Sequence, residues 1–269
     1  CDGLGDISGI FDTTVCNDRD SVAVSHFITI HNCSNLRNTN TCNNTCCTDR
    51  SRSDTNFDCI YSGYLADPTQ AKLVEQAFEL WPRALKVVDP VLGDNGHLYK
   101  GSTEEMVTEM KKLIHLADVI TPNLTELYYL LDMPYQEHIT DAELKQALKT
   151  LSDRGPAIVI ATSVPVSGDP RSTSVYAYNR FGDRYWKVTC PYLPAHYPGT
   201  GDTFTSVITG ALMQGDSLPI ALDRATQFIL QGIRATFGYE YNNLEGIMLE
   251  KVLHNLDMPI QISSYELVE

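Results

Sequence analysis

The chain has 269 residues, enough for one large α/β domain or two small ones. Its 20 Lys and Arg residues against 34 Asp and Glu give a formal net charge of −14. That balance argues against nucleic acid or an anionic membrane as the main partner, but not against a nucleotide held locally by backbone amides and a metal.

No apolar run approaches the roughly 18 residues of a membrane span. The polar opening lacks the apolar core of a signal peptide, and it begins at Cys1 rather than methionine, as expected if the true start lies upstream. Six of the eight cysteines fall at or before Cys47. Cys42, Cys46 and Cys47 cluster, but no second Cys/His pair stands at zinc-site spacing, and a disulfide framework suits a smaller chain.

In chain order, Asp2–Ile10 reads as a strand end with a Gly-Ser turn. Val22-Ala23-Val24 and Phe27–Ile30 are short candidate strands. From His31 to Asn56 the only large aliphatic residue is Leu36. Such a stretch buries too little apolar area to offset its ordering entropy. A mobile flap, an insertion and a misrecorded stretch all remain open.

Phe57–Tyr61 reads as a buried strand ending at Ser62-Gly63-Tyr64-Leu65. The spacing predicts a helix over Gln70–Leu80, with Leu73, Ala77 and Leu80 on one face. Leu85–Pro90 is the next strand, with Asp89 at its carboxyl end. Strand, helix, strand makes a parallel βαβ unit, and ligands bind beyond the carboxyl ends of such strands. Asp89 and Asp94 have two readings there: ordinary turn chemistry, or a magnesium–phosphate environment.

Ser102–Glu105 reads as a capping box, opening a helix that buries Met106, Met110, Leu113 and Ile114. Ala117–Thr121 is a strand. Thr121-Pro122-Asn123 then leads into a helix carrying Leu127, Leu130 and Leu131. Asn123 and Glu126 fit a helix cap, and fit equally two polar groups beside Asp89. Thr140–Leu151 is a helix with Thr140 and Glu143 as its box and Leu144, Leu148 and Leu151 buried.

Ile158–Ile160 is a strand ending at Thr162 and Ser163. Ser174–Tyr178 and Tyr185–Cys190 form a hairpin through Asn179–Asp183, an antiparallel edge on the sheet. Pro191–Tyr197 leads to Pro198-Gly199-Thr200-Gly201-Asp202-Thr203-Phe204, where a helix starts near the aspartate. This stretch is either a Gly-rich turn capped by Thr200 or Asp202, or an anion cradle with an adjacent base. Leu218–Phe237, carrying Ala221, Ala225, Phe228 and Ile229 on one face, and Leu244–Leu256 read as scaffold helices. No internal repeat or linker appears, so one domain over 1–269 is expected, with 11–56 atypical.

Three stretches thus occur in order: Asp89-Pro90-Val91-Leu92-Gly93-Asp94, Thr121-Pro122-Asn123 with Glu126, and Gly199-Thr200-Gly201-Asp202. Together they resemble the ribokinase superfamily, most closely the pyridoxal (vitamin B6) kinases. Asp6-Ile7-Ser8-Gly9 and Ser62-Gly63-Tyr64 look like two further motifs of that family. The likeness is good from about Phe57 onward and poor from Phe11 to Asn56. Two family features are missing: a helix between the first two strands, and a Thr-His-Thr-Gly-like stretch near the substrate. The interval from Asp6 to Asp58 is also short.

The resemblance implies an α/β, ribokinase-like fold, with a mostly parallel central sheet flanked by helices on both faces. It implies transfer of the ATP γ-phosphate to the 5′-hydroxymethyl group of pyridoxal, pyridoxine or pyridoxamine. Carried over by motif, Asp202 would be the base and Gly199, Thr200 and Gly201 the anion hole. Asp89, Asn123 and Glu126 would organise Mg²⁺ largely through water. Asp94, Tyr99, Thr162 and Ser163 would lie along the ATP phosphates, and Ser8 and Tyr64 would touch the vitamer. ATP, Mg²⁺, a monovalent cation such as K⁺, a cytoplasmic location and a homodimer belong to the same expectation. A sister branch phosphorylates the hydroxymethylpyrimidine of thiamin synthesis, usually with cysteine in the place of Asp202. The remaining alternative is a kinase-fold protein that binds nucleotide or vitamer without turnover.

Overall fold

The computed structural model describes residues 27–28, 57–239, 245–258 and 264–268. Ser8, the Val22–Val24 strand, the polar stretch before Asn56 and the clustered cysteines lie outside the described residues.

Among the described residues one sheet carries eight strands. In spatial order they are Phe27–Ile28 (β1), Cys59–Ser62 (β2), Leu85–Val88 (β3), Val119–Ile120 (β6), Ile158–Pro165 (β7), Ser172–Asn179 (β8), Arg184–Pro191 (β9) and Tyr265–Val268 (β10). Gly93–Asp94 (β4) and His97–Leu98 (β5) form a separate ribbon. Strands β2, β3, β6 and β7 are parallel, while β1 pairs antiparallel with β2, and β8 to β10 continue antiparallel.

The helices are Pro68–Leu80 (α1), Glu104–Ile114 (α2), Leu124–Leu131 (α3), Asp141–Asp153 (α4), Thr200–Met213 (α5) and Leu218–Thr236 (α6). Alternation along the strands splits the core in two. Ile60, Val88, Ile120 and Val159 pack with Val74, Phe78, Met110, Leu127 and Leu148 of α1 to α4. Cys59, Tyr61, Val87, Val119 and Ile160 face Phe204, Ile208, Leu222 and Phe228 of α5 and α6. Parallel strands therefore end together at one rim, between helices on both faces. β9 runs the same way as β7, so its exit loop delivers the start of α5 to that rim.

Several sequence expectations are corrected. The buried face of α1 is Ala71, Val74, Ala77 and Phe78, while Leu80 is exposed. The helix begins earlier, at Pro68 under an Asp67 cap, and the large Phe78 ring takes the core position. The α2 cap is Thr103, whose Oγ1 accepts from the Met106 N–H at 3.2 Å; the Ser102–Glu105 box does not form. β7 runs on to Pro165 through an irregularity between Ala161 and Val164, so Thr162 and Ser163 sit on a bulge rather than at a strand end. The β8–β9 hairpin is not the sheet edge, because β10 pairs outside β9.

The helix expected over Leu244–Leu256 is replaced, among the described residues, by 3₁₀ turns at Leu249–Lys251 and Leu253–Asp257. Gly246 sits at φ 78°, and the Met248 N–H goes to Thr236 Oγ1 rather than to a helical carbonyl.

Candidate active site

The rim gathers the predicted polar residues from four loops. Asp89 follows β3, and its N–H donates to the Ser62 carbonyl at 2.8 Å, joining it to the end of β2. Asn123 and Glu126 open α3 as a reciprocal capping box: the Glu126 N–H donates to Asn123 Oδ1 at 3.0 Å, and the Asn123 N–H to Glu126 Oε2 at 2.8 Å. The same side chains also tie down the ribbon loop. Glu126 Oε1 accepts from the Leu92 N–H at 3.0 Å, and Asn123 Nδ2 donates to the Gly93 carbonyl at 2.8 Å. The cap reading and the site reading of this pair are thus one arrangement.

α5 opens at the same rim. Gly199 is its N-cap at φ 81°, a conformation that favours glycine, and no side chain caps the helix, so neither Thr200 nor Asp202 is the cap. The first N–H groups of a helix have no internal carbonyl partner, and they point outward with the positive end of the dipole. A Cβ on Gly199 would meet nothing within 4 Å, so the turn is open above those groups. Thr200 Oγ1 donates to the Tyr197 carbonyl at 3.1 Å and fixes the approach. Asp202 lies in the first turn.

Asp89 links the acidic groups here, with Asp202 and Tyr61 on one side and Glu126 on the other. Asp89 is 4% exposed. Burial, then the charge of Asp202, pushes its carboxyl up to about 8, while the Thr121 and Thr205 hydroxyls favour its ionised form. Those two hydroxyls also share a hydrogen bond of 2.8 Å. Asp89 Oδ2 has no hydrogen-bond partner among the described residues. Burial and the charge of Asp89 raise Glu126 well above the usual carboxylate range. Tyr61 is raised by burial, then by Asp89 and Asp202, and its hydroxyl donates to Asp202 Oδ1 at 3.3 Å.

Other predicted residues sit around this centre. Thr162 bridges to Asn123, and its N–H donates to the Pro122 carbonyl; Ser163 beside it takes φ 56°. Asp94 accepts from the N–H and Nδ2 of Asn95, which is turn chemistry within the ribbon. The Tyr99 phenol is raised by burial and then by Glu126, Asp94, Asp89 and Asp202. A Cβ on Gly101 would stand 2.9 Å from the Tyr64 hydroxyl, which places Tyr64 against that loop. Sequence reasoning passed over Tyr61, Thr205 and the contact role of Gly63. Tyr61 was readable only as a core aromatic, although a buried phenol usually has a hydrogen-bond partner.

No described helix is long and apolar enough to cross a membrane. Among the described residues, no three His, Cys, Asp or Glu side chains converge as a direct metal cage. The buried, unpartnered Asp89 oxygen beside a second carboxylate is nonetheless the kind of site that a hydrated Mg²⁺ suits.

Residues 21–246 match the sequence family described as Phosphomethylpyrimidine kinase. A Bacteroides thetaiotaomicron protein assigned as a phosphomethylpyrimidine kinase, in a crystal form with pyridoxal, is 70% identical. That match covers 80% of this chain and 76% of the other, with a TM-score of 0.77. The chloroplastic thiamine biosynthetic bifunctional enzyme TH1 of Arabidopsis thaliana is 31% identical over 66% of this chain and 33% of its own length. Pyridoxal kinase PdxY of Corynebacterium diphtheriae is 29% identical over 67% of this chain and 64% of its own. The matches thus span from one third to just under two thirds of these curated relatives.

Proposed function

The chain belongs to the phosphomethylpyrimidine kinase family, and from that membership we propose that it transfers the γ-phosphate of ATP to the 5′-hydroxymethyl group of a B6 vitamer. The observation that carries this reading is the placement of Asp202, in the first turn of α5, behind an open glycine turn and facing Asp89. The 70% identical relative crystallised with pyridoxal supports the choice of acceptor.

The chemistry follows from the parts. The N–H groups at the start of α5 hold the transferring phosphoryl oxygens. The carboxylate of Asp202 accepts the proton of the attacking hydroxyl as the new P–O bond forms. Asp89 is the residue best able to face Mg²⁺ or its waters. Glu126 and Asn123 fix the loop beside it, with both carboxylate oxygens and both amide ends already engaged. Mg²⁺ bound there would offset charge on the phosphates. Thr162 and Ser163 border the nucleotide side and Tyr64 the vitamer side.

Asp202→Asn should fold normally and lose about 10²–10⁴-fold in turnover. Unchanged turnover in a folded variant would remove Asp202 from the reaction. A hydroxymethylpyrimidine acceptor is the second reading, favoured by the likeness to TH1; the aspartate at 202, where that branch usually has cysteine, weighs against it.

A further inference from the structure

Tyr61 belongs to none of the motifs, yet it touches the central carboxylate. It lies on β2, on the face turned toward α5, and is 2% exposed. A buried phenol needs a hydrogen-bond acceptor, and a backbone carbonyl would serve. Here the acceptor is Asp202 Oδ1, on a helix 141 positions further along the chain. Gly63 closes the same corner. A Cβ there would stand 3.0 Å from Asp202 Oδ1 and 3.2 Å from the Tyr61 oxygen. Phenol, carboxylate and bare α-carbon therefore form one packed contact, and a Cβ at 63 would force the carboxylate and phenol oxygens to give way.

We propose that Tyr61 is a positioning residue for phosphoryl transfer: its O–H holds Oδ1 of Asp202, so that the other carboxylate oxygen is presented to the acceptor hydroxyl. The inference rests on the reading of Asp202 as the base. Tyr61 keeps its own proton throughout, because burial and two neighbouring carboxylates oppose its ionisation. Its contribution is orientation. A carboxylate free to change rotamer offers its lone pair to the hydroxyl only part of the time, which lowers kcat rather than ATP binding.

The test compares Tyr61→Phe, Asp202→Asn and the double variant with Mg²⁺, ATP and pyridoxal. Tyr61→Phe should lower kcat about ten- to hundredfold and leave the ATP KM within about twofold. In the Asp202→Asn background the same change should cost less than about threefold, because the group it positions is gone. Equal losses in both backgrounds, or a loss confined to KM, would overturn the proposal. A second readout needs no turnover. In protein labelled with ¹³C-tyrosine, the ring resonance that vanishes in Tyr61→Phe should move in Asp202→Ala; an unmoved resonance overturns the contact. A wild-type chain that binds ATP but phosphorylates no acceptor overturns the enzymatic reading, and the resonance then decides alone whether Tyr61 holds Asp202.

Discussion

Asp89→Asn should stabilise the ligand-free protein at neutral pH, against the usual direction for a buried substitution. Burial and the charge of Asp202 raise the Asp89 carboxyl from 3.8 to about 8 in the folded chain. Between those values the unfolded chain has given up a proton that the folded chain keeps, so stability falls as pH rises. The penalty is absent below about pH 4, grows through this window, and is complete above about pH 8. From about pH 5 to about pH 7 it grows by roughly 3 kcal/mol, at ~1.36 kcal/mol per pH unit. At roughly 2–4 °C per kcal/mol for a chain of this size, that is on the order of 10 °C in Tm. The amide has no such titration. Thermal unfolding of both proteins at the two pH values gives the result directly. The variant-minus-wild-type difference in Tm should be larger at the higher pH by about that amount. Every pH effect common to both proteins cancels in this difference. A difference that does not change with pH would show that Asp89 is not held neutral by burial.

Two further substitutions probe the rim. Gly63→Ala puts a methyl group 3.0 Å from Asp202 Oδ1, so the carboxylate must shift; kcat should fall by at least about tenfold with only a small loss of stability. Steady-state kinetics beside a denaturation curve separate the two effects. Glu126→Ala leaves the Leu92 and Asn123 N–H groups without their acceptor, a cost of about 2–4 kcal/mol by urea unfolding. Glu126→Gln keeps one acceptor oxygen and carries no buried charge, so it should lose less than Glu126→Ala.

The sequence made the parallel core and its rim legible because their signals are local. Asp89 ends an apolar run, Thr140 and Glu143 spell a capping box that forms as read, and Leu144, Leu148 and Leu151 keep helical spacing. Where expectation and structure part, distant contacts decide. Leu73 and Leu80 had the right period for α1, but the bulk of Phe78 sets which face turns inward. Leu244–Leu256 has helical spacing too, yet the hydroxyl of Thr236 captures the Met248 N–H. β10 offers only Tyr265-Glu266-Leu267-Val268, too short to distinguish from a tail without its partner β9. Asp202 and Glu126 stood out through their glycine and capping patterns. Tyr61 and Thr205 did not, because a buried Tyr or Thr inside an apolar run looks like packing until the carboxylate beside it is placed.

Acceptor-dependent ATP consumption by the purified protein with Mg²⁺, pyridoxal against hydroxymethylpyrimidine, probes the proposed reaction most directly. Turnover should depend on pyridoxal, with the phosphate appearing on its 5′-hydroxymethyl group. Turnover with the pyrimidine alone would keep the Asp202 site and change its acceptor. ATP binding with no phosphate transfer to either compound would contradict the assignment of this rim as a phosphotransfer site.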